Sequence, residues 1–341
     1  MSAYNTLKPP ERRPVSLSVS VISTVLNEGA SIARLLDSLA SQSRLPDEVV
    51  IADGGSSDDT VSILQRYAAR AELEMQVLVR PGTNISQGRN AAIAIARGEI
   101  IACVDAGVRL SPNWLEELIR PFEGGTEVHA VAGFFVADPQ TPFEVAMGAT
   151  VLPDLSNIDP ARFLPSSRSV AFRKAAWEAV GGYPEWLDYC EDLVFDFGLR
   201  DRYGPFVFAP HALVYFRPRS TMAAFTKQYY RYARGDGKAD LWRKRHAIRY
   251  LTYLVAGPVL VALACWHSPW WLLGLLLGGA IYTAAPYRRL VRRMASLSLG
   301  QQLLAILLVP CIRVAGDAAK MAGYPAGWAW RLAHRHEIPQ S

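Results

Sequence analysis

Apolar and polar residues in the first third of the chain follow a repeating order. Short β-branched and aliphatic runs predict strands, and each is followed by a polar turn and then by apolar residues at helical spacing. Strands are predicted at 15–24, 49–53, 75–79 and 99–104, and helices at 31–41, 61–69 and 91–96. Because strands and helices alternate with short loops, this pattern predicts an α/β fold with a mostly parallel, doubly wound sheet and flanking helices.

The middle of the chain is less regular. Between residues 139 and 167 the periodicity fades while Pro and polar residues become frequent, which predicts a loop-rich segment that shapes a pocket. The other predicted elements are a helix at 114–122, a strand at 130–137, a strand at 169–172, a helix at 174–180 that ends at Gly181-Gly182, and a helix after Glu191-Asp192.

The pattern changes again after about residue 245, where three long apolar stretches follow one another. Residues 248–266 and 268–287 have lengths and flanks that predict a transmembrane hairpin, with C-terminal membrane helices following the α/β fold. Residues 294–315 predict a re-entrant or interfacial helix, or a third transmembrane helix. Basic residues precede the first stretch and follow the second, so both outer ends of the hairpin are expected in the cytoplasm.

Composition supports a partly membrane-bound protein. Half of the 341 residues are hydrophobic and the net charge is +5. The basic residues concentrate toward the C-terminal third without a basic, aromatic-interleaved soluble face, so a membrane surface is expected as a partner and nucleic acid is not. Four widely spaced Cys give no metal pattern. The polar residues 1–17 predict a disordered lead-in rather than a secretory signal.

Acidic residues recur where the predicted strands end or the loops begin. They are Asp53, Asp58, Asp105 and the pair Glu191-Asp192. Each alone would also fit a helix cap or a solvated surface carboxylate. Together at one edge of a parallel sheet they could hold a divalent cation and a diphosphate. The helix that opens near Arg89 offers backbone N–H groups and a guanidinium to the same phosphates.

These motifs, taken in order, resemble the inverting family 2 glycosyltransferases of GT-A type. The resemblance spans roughly residues 18–235. The apolar C-terminal region 236–341 resembles the membrane-attached members that build bacterial exopolysaccharides. The matching residues are Leu26-Asn27-Glu28, Asp53-Gly54-Gly55-Ser56-Ser57-Asp58-Asp59-Thr60, Gly88-Arg89-Asn90, Asp105-Ala106-Gly107, Ser167-Arg168, Gly181-Gly182-Tyr183-Pro184-Glu185, Glu191-Asp192 and Gln228-Tyr229-Tyr230-Arg231-Tyr232.

The resemblance implies a role for each matching residue. Glu28 and Asp53 would hold the nucleoside of a nucleotide-sugar donor, and a UDP-sugar is favoured. Asp105 would bind Mg²⁺ or Mn²⁺ together with the diphosphate. Gln228 and Arg231 correspond to a Q-x-x-R-W element near the diphosphate and acceptor, with Tyr232 in place of Trp.

The resemblance also names the catalytic pair. Asp192 would be the general base that deprotonates the acceptor hydroxyl, with Glu191 beside it. A positioned carboxylate base contributes roughly 10²–10⁴-fold to rate, and repulsion between adjacent acids raises one pKa. Two departures from the family pattern matter: Gly54 and Gly107 stand where the family commonly has a second acid.

The sequence therefore predicts a membrane-attached, hexosyltransferase-type enzyme at the inner (cytoplasmic) membrane, with its catalytic domain in the cytoplasm. Its acceptor would be a lipid-linked or growing polysaccharide, and its other partners would be membrane lipids. One alternative is a polyprenyl-phosphate sugar synthase, in which the lipid phosphate itself accepts the sugar. Another is an inactive scaffold of a polysaccharide assembly complex, prompted by the missing acid at Gly107.

Overall fold

The structure is a computed structural model that describes residues 17–70 and 72–338. Nearly all of the predicted lead-in, residues 1–16, lies outside the described residues. The described chain forms one eight-stranded sheet, with helices on both faces and a C-terminal group of helices. The strands are β1 Val19–Val25, β2 Glu48–Asp53, β3 Met75–Val79, β4 Ile100–Cys103, β5 Val108–Leu110, β6 Ala130–Ala137, β7 Val170–Arg173 and β8 Val207–Phe216.

Twelve α-helices connect and follow these strands in the described part of the chain. A π-helical turn, Thr252–Ala256, joins the helix Arg243–Leu251 to the helix Gly257–Trp266. The helices are α1 Ile32–Ala40, α2 Thr60–Ala68, α3 Ile85–Ile95, α4 Trp114–Glu123, α5 Pro142–Val151, α6 Lys174–Ala179, α7 Glu191–Tyr203, α8 Met222–Ala239, α9 Arg243–Leu251, α10 Gly257–Trp266, α11 Leu272–Arg293 and α12 Leu299–Ala333.

The sheet order is β3-β2-β1-β4-β7-β6-β8-β5. Strands β1 to β4 are parallel to one another, whereas β7 is antiparallel to both β4 and β6, and β8 pairs parallel with β6. The chain reverses its direction of travel across the sheet between β1 and β4. In open α/β sheets such a switch point opens a crevice at the carboxyl ends of the strands. The loops that carry the predicted acids therefore meet at one edge.

The core consists of two layers, one on each face of the sheet. Helices α1, α2 and α4 cover one face, where Leu35, Leu64 and Trp114 are buried. Helices α3, α6 and α7 cover the other, where Ile93 and Phe195 are buried. Successive strand residues point to opposite faces, so a parallel strand covered on both faces becomes an uninterrupted apolar run. The strands could therefore be recognised in the sequence as apolar runs. The predicted α/β fold is confirmed.

The predicted loop-rich segment 139–167 is wrong in its first part, because it contains α5. Seven of the ten α5 residues are buried, so apolar and small residues surround the helix. A helix buried on all sides has no polar face and therefore no 3.6-residue periodicity. Helix α5 packs against α11 and α12, where Met147 contacts a small core that includes Leu290 and Val309. The remainder of the segment borders the cavity described below.

Helices α8 and α12 pack backbone to backbone. A Cβ on Gly323 would lie 2.2 Å from the carbonyl oxygen of Tyr230, and one on Gly327 would lie 2.0 Å from that of Arg234. Only glycine permits such an approach, and this contact links the C-terminal helices to the sheet domain. The domain boundary predicted at residue 235 falls inside α8.

Two helices of the described chain are long and apolar enough to cross a membrane: 243–266, which comprises α9 and α10, and α12. The first has no buried residue in its apolar window, whereas a third of the window in α12 is buried. The predicted hairpin used α11 as its second span, but α11 does not pass the same length-and-hydropathy test. The predicted 294–315 helix begins at Leu299 and continues to Ala333.

Candidate active site

A cavity of about 840 Å³ lies at the carboxyl edge of the sheet and extends to α8, α9 and α12. Residues 163–168 and the start of α7 form its other walls. Six of the eight predicted site residues line it together: Arg89, Asp105, Glu191, Asp192, Gln228 and Arg231. Glu28 and Asp53 do not line this cavity; they belong to the loops after β1 and β2.

The loop after β2 is organised by Asp53 itself. Its Oδ1 accepts hydrogen bonds from the amides of Gly55 and Ser56, both 2.9 Å long, and its Oδ2 accepts from Ser56 Oγ at 2.5 Å. Gly55 adopts φ +98°, and a Cβ there would come within 2.9 Å of Pro81 Cα. The buried Asp53 carboxylate therefore fixes a tight turn that only glycine can complete.

The loop after β1 interlocks with this turn. Asn27, at φ 55°, donates its amide to Ser56 Oγ at 2.8 Å, and its Oδ1 accepts from the Ser57 amide at 2.9 Å. The Glu28 amide donates to Thr60 Oγ1 at 2.8 Å, and the Glu28 carboxylate accepts from Ser31 Oγ. Glu28 Oε2 lies 3.9 Å from where a Cβ on Gly107 would be. Glu28 thus reaches the region where the family commonly has a second acid.

Arg89 lies at the centre of a buried charge cluster. Its Nη1 donates to Glu191 Oε1 at 2.7 Å and its Nη2 to Asp105 Oδ1 at 3.1 Å, while the side chain is only 3% exposed. Arg168 approaches the other oxygen of Asp105 at 3.5 Å and stacks 4.7 Å from the ring centroid of Phe216. The Arg89–Glu191 contact joins positions that are 102 residues apart in the sequence. Both Asp105 oxygens face guanidinium groups.

Asp192 differs from the other carboxylates of the cavity. Asp105, Asp188, Glu191 and Asp236 each lie within 4 Å of a basic side chain, but Asp192 has no such contact with any described residue. Its Oδ1 accepts only from the Leu193 amide, at 2.9 Å. Burial raises the pKa of Asp192, and nearby Asp105 adds to the rise while Arg89 opposes it. A carboxylate in this setting is a stronger base than one in water.

Two acids beside Asp192 share its buried environment. Burial and the charge of Asp192 raise the pKa of Glu191, against the opposing effect of Arg89. Asp196, one turn along α7, is 3% exposed and has an Oδ2 with no hydrogen-bond partner among the described residues. Burial, followed by the Asp192 charge, raises the pKa of Asp196 well above the ordinary value. Asp196 therefore keeps its proton to higher pH than a solvated aspartate does.

Helix α8 contributes the next wall. Gln228 donates from Nε2 to Tyr232 Oη at 2.7 Å, and Arg231 donates from Nη1 to Tyr189 Oη at 2.8 Å. Both side chains lie on one helix face because they are three residues apart. Arg231 has no carboxylate partner within the described ranges, so its charge is available to a ligand.

Several residues in the cavity wall or buried beside it had no predicted role. Arg168 appeared only as part of a motif, and Asp196 and Lys320 were not identified. Lys320 could have been noticed as a charge within a mainly apolar helix, which is a functional signal in membrane proteins. The sequence does not single out Asp196, because an acid on the exposed face of a helix would have the same spacing from its neighbours.

The sequence resemblance implies a divalent metal, Mg²⁺ or Mn²⁺, at this site. The described residues hold no group of three or more His, Cys, Asp or Glu that could bind an ion alone. Asp105 fits the simpler arrangement in which one carboxylate and the substrate phosphates hold Mg²⁺ or Mn²⁺. Both its oxygens face arginines, so most of the ligands would have to come from the phosphates.

Residues 20–176 match the family model described as Glycosyl transferase family 2. Over 272 residues the chain is 27% identical to the "Succinoglycan biosynthesis protein ExoA" of Rhizobium meliloti (strain 1021), which covers 74% of this chain and 81% of that protein. It is 28% identical over 127 residues to the "Validoxylamine A glucosyltransferase" of Streptomyces hygroscopicus subsp. limoneus, which covers 36% of this chain. The chain spans only 28% of that second relative.

Among solved structures, the chain resembles a mannosyltransferase of Pyrobaculum calidifontis, PcManGT, in complex with GDP-Man and Mn²⁺. The TM-score is 0.54 with 20% identity, over 94% of this chain and 88% of that one. At this identity the likeness establishes the fold, which is of GT-A type. That neighbour's Mn²⁺ is consistent with divalent metal use in this fold.

Proposed function

We propose that this chain, which belongs to glycosyltransferase family 2, transfers a sugar with inversion from a nucleotide-sugar donor to a lipid-linked or growing polysaccharide acceptor. One observation carries the proposal. Asp192 is a carboxylate at the cavity wall without an ion pair among the described residues, and it lies in the same cavity as Arg168 and Arg231. A base and an anion site in one cavity are what a single displacement at a sugar carbon requires.

The proposed reaction is one displacement. The acceptor oxygen attacks the anomeric carbon and forms the new C–O bond, while the bond from that carbon to the donor phosphate oxygen breaks. The acceptor proton passes to Asp192, and the electron pair leaves with the nucleoside diphosphate. The raised pKa of Asp192, caused by burial, makes it a better proton acceptor once it is ionised.

The donor side uses the other cavity residues. Arg231 and Arg168 face the charge that grows on the leaving diphosphate, and Gln228 is placed beside Arg231 on α8. We assign Arg89 a positioning role, because both of its charged contacts are with Asp105 and Glu191. Glu28 and the turn built by Asp53 form the neighbouring wall for the nucleoside. A UDP-sugar is the first donor to test.

A divalent ion, Mg²⁺ or Mn²⁺, would be held by Asp105 and the donor phosphates, and when bound it would supply additional positive charge to the diphosphate. The arginines already present at Asp105 supply part of that charge.

The apolar C-terminal helices support attachment to a membrane. We propose that the inner (cytoplasmic) membrane holds the protein and that the cavity opens in the cytoplasm. Ile248, Leu251 and Leu254 expose 64%, 58% and 63% of their surface, which is the pattern of a lipid-facing helix. A reporter fused after His267 and another after Ser341 test this. The hairpin interpretation requires a non-cytoplasmic signal at His267.

The decisive experiment is a nucleotide-sugar screen with the full chain in detergent, with and without Mn²⁺ or Mg²⁺. A sugar acceptor and a polyprenyl phosphate are offered in parallel. Transfer to the sugar acceptor that depends on Asp192 supports the proposal. Transfer to the polyprenyl phosphate that survives Asp192→Asn supports the synthase alternative, because a phosphate needs no deprotonation. No transfer with any donor would favour the scaffold alternative.

A further inference from the structure

The end of the cavity between α8, α9 and α12 carries positive charges that the protein leaves unneutralised. Arg245 and Lys320 both line the cavity, and neither has a carboxylate within 4 Å in the part of the chain that the structure describes. Arg245 stacks 4.1 Å from the ring centroid of Trp242, and the Lys320 ammonium lies 4.9 Å from that of Tyr229. Aromatic faces stabilise these cations without cancelling their charge.

The acid nearest in sequence to Lys320 is already occupied. Asp317, one turn earlier on α12, accepts from Arg249 Nε at 2.7 Å, from Tyr253 Oη at 3.1 Å and from Tyr282 Oη. Three donors already bond this carboxylate, and among the described residues it makes no ion pair with Lys320 within 4 Å. A partly buried cation without a partner costs free energy unless a ligand supplies the opposite charge.

The position of these cations relative to the apolar surface indicates which class of anion they bind. Arg245 lies at the start of the candidate span 243–266, and the exposed apolar residues Ile248, Leu251 and Leu254 follow it directly. Basic residues immediately beside apolar membrane helices bind phosphate headgroups of lipids. A free phosphate would gain nothing from the apolar residues, whereas a lipid would contact them with its chain.

We infer that Arg245 and Lys320, with Arg249 beside them, bind the phosphate or diphosphate headgroup of the lipid that carries the acceptor sugar. This inference rests on the proposed function, and it places the lipid headgroup in the cavity that Asp192 also lines. Guanidinium and ammonium groups supply charge-assisted hydrogen bonds to the phosphate oxygens. Arg249 also holds Asp317 and His246, at 2.7 and 3.1 Å, so it is not the residue to mutate first.

The test is calorimetric binding of farnesyl diphosphate to the full chain in detergent, with UDP present in excess so that the donor side is filled. We expect Lys320→Gln and Arg245→Gln each to weaken binding about tenfold, the loss typical of one charge-assisted contact. Lys244→Gln is the matched control, because Lys244 is exposed on the same helix and does not line the cavity. Its affinity should equal that of the unchanged protein.

Three outcomes would overturn the inference. Unchanged affinity for farnesyl diphosphate in both Lys320→Gln and Arg245→Gln would show that these residues do not bind the headgroup. Equal loss in Lys244→Gln would show general attraction to positive charge rather than a built site. Inorganic diphosphate binding as tightly as farnesyl diphosphate, with farnesol inert, would identify free phosphate as the ligand. Because the readout is binding, a negative result in the transfer screen leaves this test unaffected, and thermal unfolding confirms that each variant is folded.

Discussion

Two groups of carboxylates lie at the same edge of the sheet, yet their oxygens are used differently. After β2, Asp53 accepts three hydrogen bonds from its own turn, and Asp58 accepts from Gly29 and Thr60. The hydrogen bonds from Thr60 lower the pKa of Asp58. At the start of α7, by contrast, Asp192 accepts from one neighbouring amide only.

This difference in hydrogen-bond partners distinguishes acids that hold the loops of the site in place from acids that take part in the reaction. A carboxylate saturated by backbone amides keeps a loop in shape and stays ionised. A carboxylate that burial has left with few partners has a raised pKa and room for a substrate hydroxyl. Position at the end of a strand does not distinguish these two cases, whereas hydrogen-bond partners do.

The largest expected effect follows from Asp192→Asn. We expect kcat to fall by roughly 10²–10⁴-fold, because a positioned general base contributes that much. The KM for the donor and the unfolding midpoint should change little, since Asp192 has no ion pair to lose among the described residues. Asp201→Asn, at an exposed position on the same helix, is the control. Retained turnover in Asp192→Asn would refute the assignment of the base.

Glu191→Gln should mainly affect stability. The substitution leaves the buried Arg89 with Asp105 as its one remaining charged partner, and breaking a buried pair costs about 3 kcal/mol or more. Chemical unfolding measures this loss, with the exposed Glu178→Gln as the reference. If Glu191→Gln lost turnover as fully as Asp192→Asn but kept its stability, Glu191 would be the base instead.

Asp53→Ala should destabilise the protein by about 1–3 kcal/mol, because buried amides lose their acceptor. The donor KM should rise as the turn loosens. Asp59→Ala, exposed and without a side-chain cap bond, should change stability by less than about 0.5 kcal/mol. Loss of donor binding at unchanged stability would show instead that the Asp53 carboxylate contacts the nucleoside directly.

The last expected effect concerns the stability contribution of Asp196, and it appears only as the pH rises. Because the folded pKa of Asp196 is raised, its proton is retained on folding, and the protein loses stability as pH rises above the ordinary value of 3.8 toward that raised pKa. Each unit of upward shift corresponds to about 1.4 kcal/mol. Asp196→Asn removes this loss. We therefore expect no gain below the ordinary value and an increasing gain in unfolding free energy at higher pH. A gain independent of pH would contradict the raised pKa.

Much of the sheet domain could be predicted because its strands and amphipathic helices are periodic. Helix α3 was predicted too short, at 91–96, although it begins at Ile85 behind a capping box formed by Asn84 and Gln87. That signal, an Asn followed three residues later by Gln, was in the sequence. Helix α5 also has a start signal, Thr141 followed by Pro142 and Glu144, but it has no amphipathic period because most of its residues are buried.

Site residues could be predicted where a single motif carries the function. They could be predicted less well where the function depends on contacts with residues that are distant in the sequence. Asp192 could be identified from its motif, and its role stays a prediction until tested. The pairing of Arg89 with Glu191, and the lack of any carboxylate within 4 Å of Lys320 among the described residues, depend on contacts between remote segments. No local pattern records which charges a fold neutralises, so the cationic end of the cavity could be found only from the structure.

The glycine contact between α8 and α12 has a consequence for selectivity. It fixes the helix that carries Gln228 and Arg231 against the helix that carries Lys320, so these two walls of the cavity cannot separate without breaking a backbone-to-backbone contact. A ligand anchored beside Lys320 can offer Asp192 only those hydroxyls that lie within one cavity length of its anchor. The protein would then select among growing chains by the distance between the anchored end and the acceptor hydroxyl, even where the terminal sugars are alike.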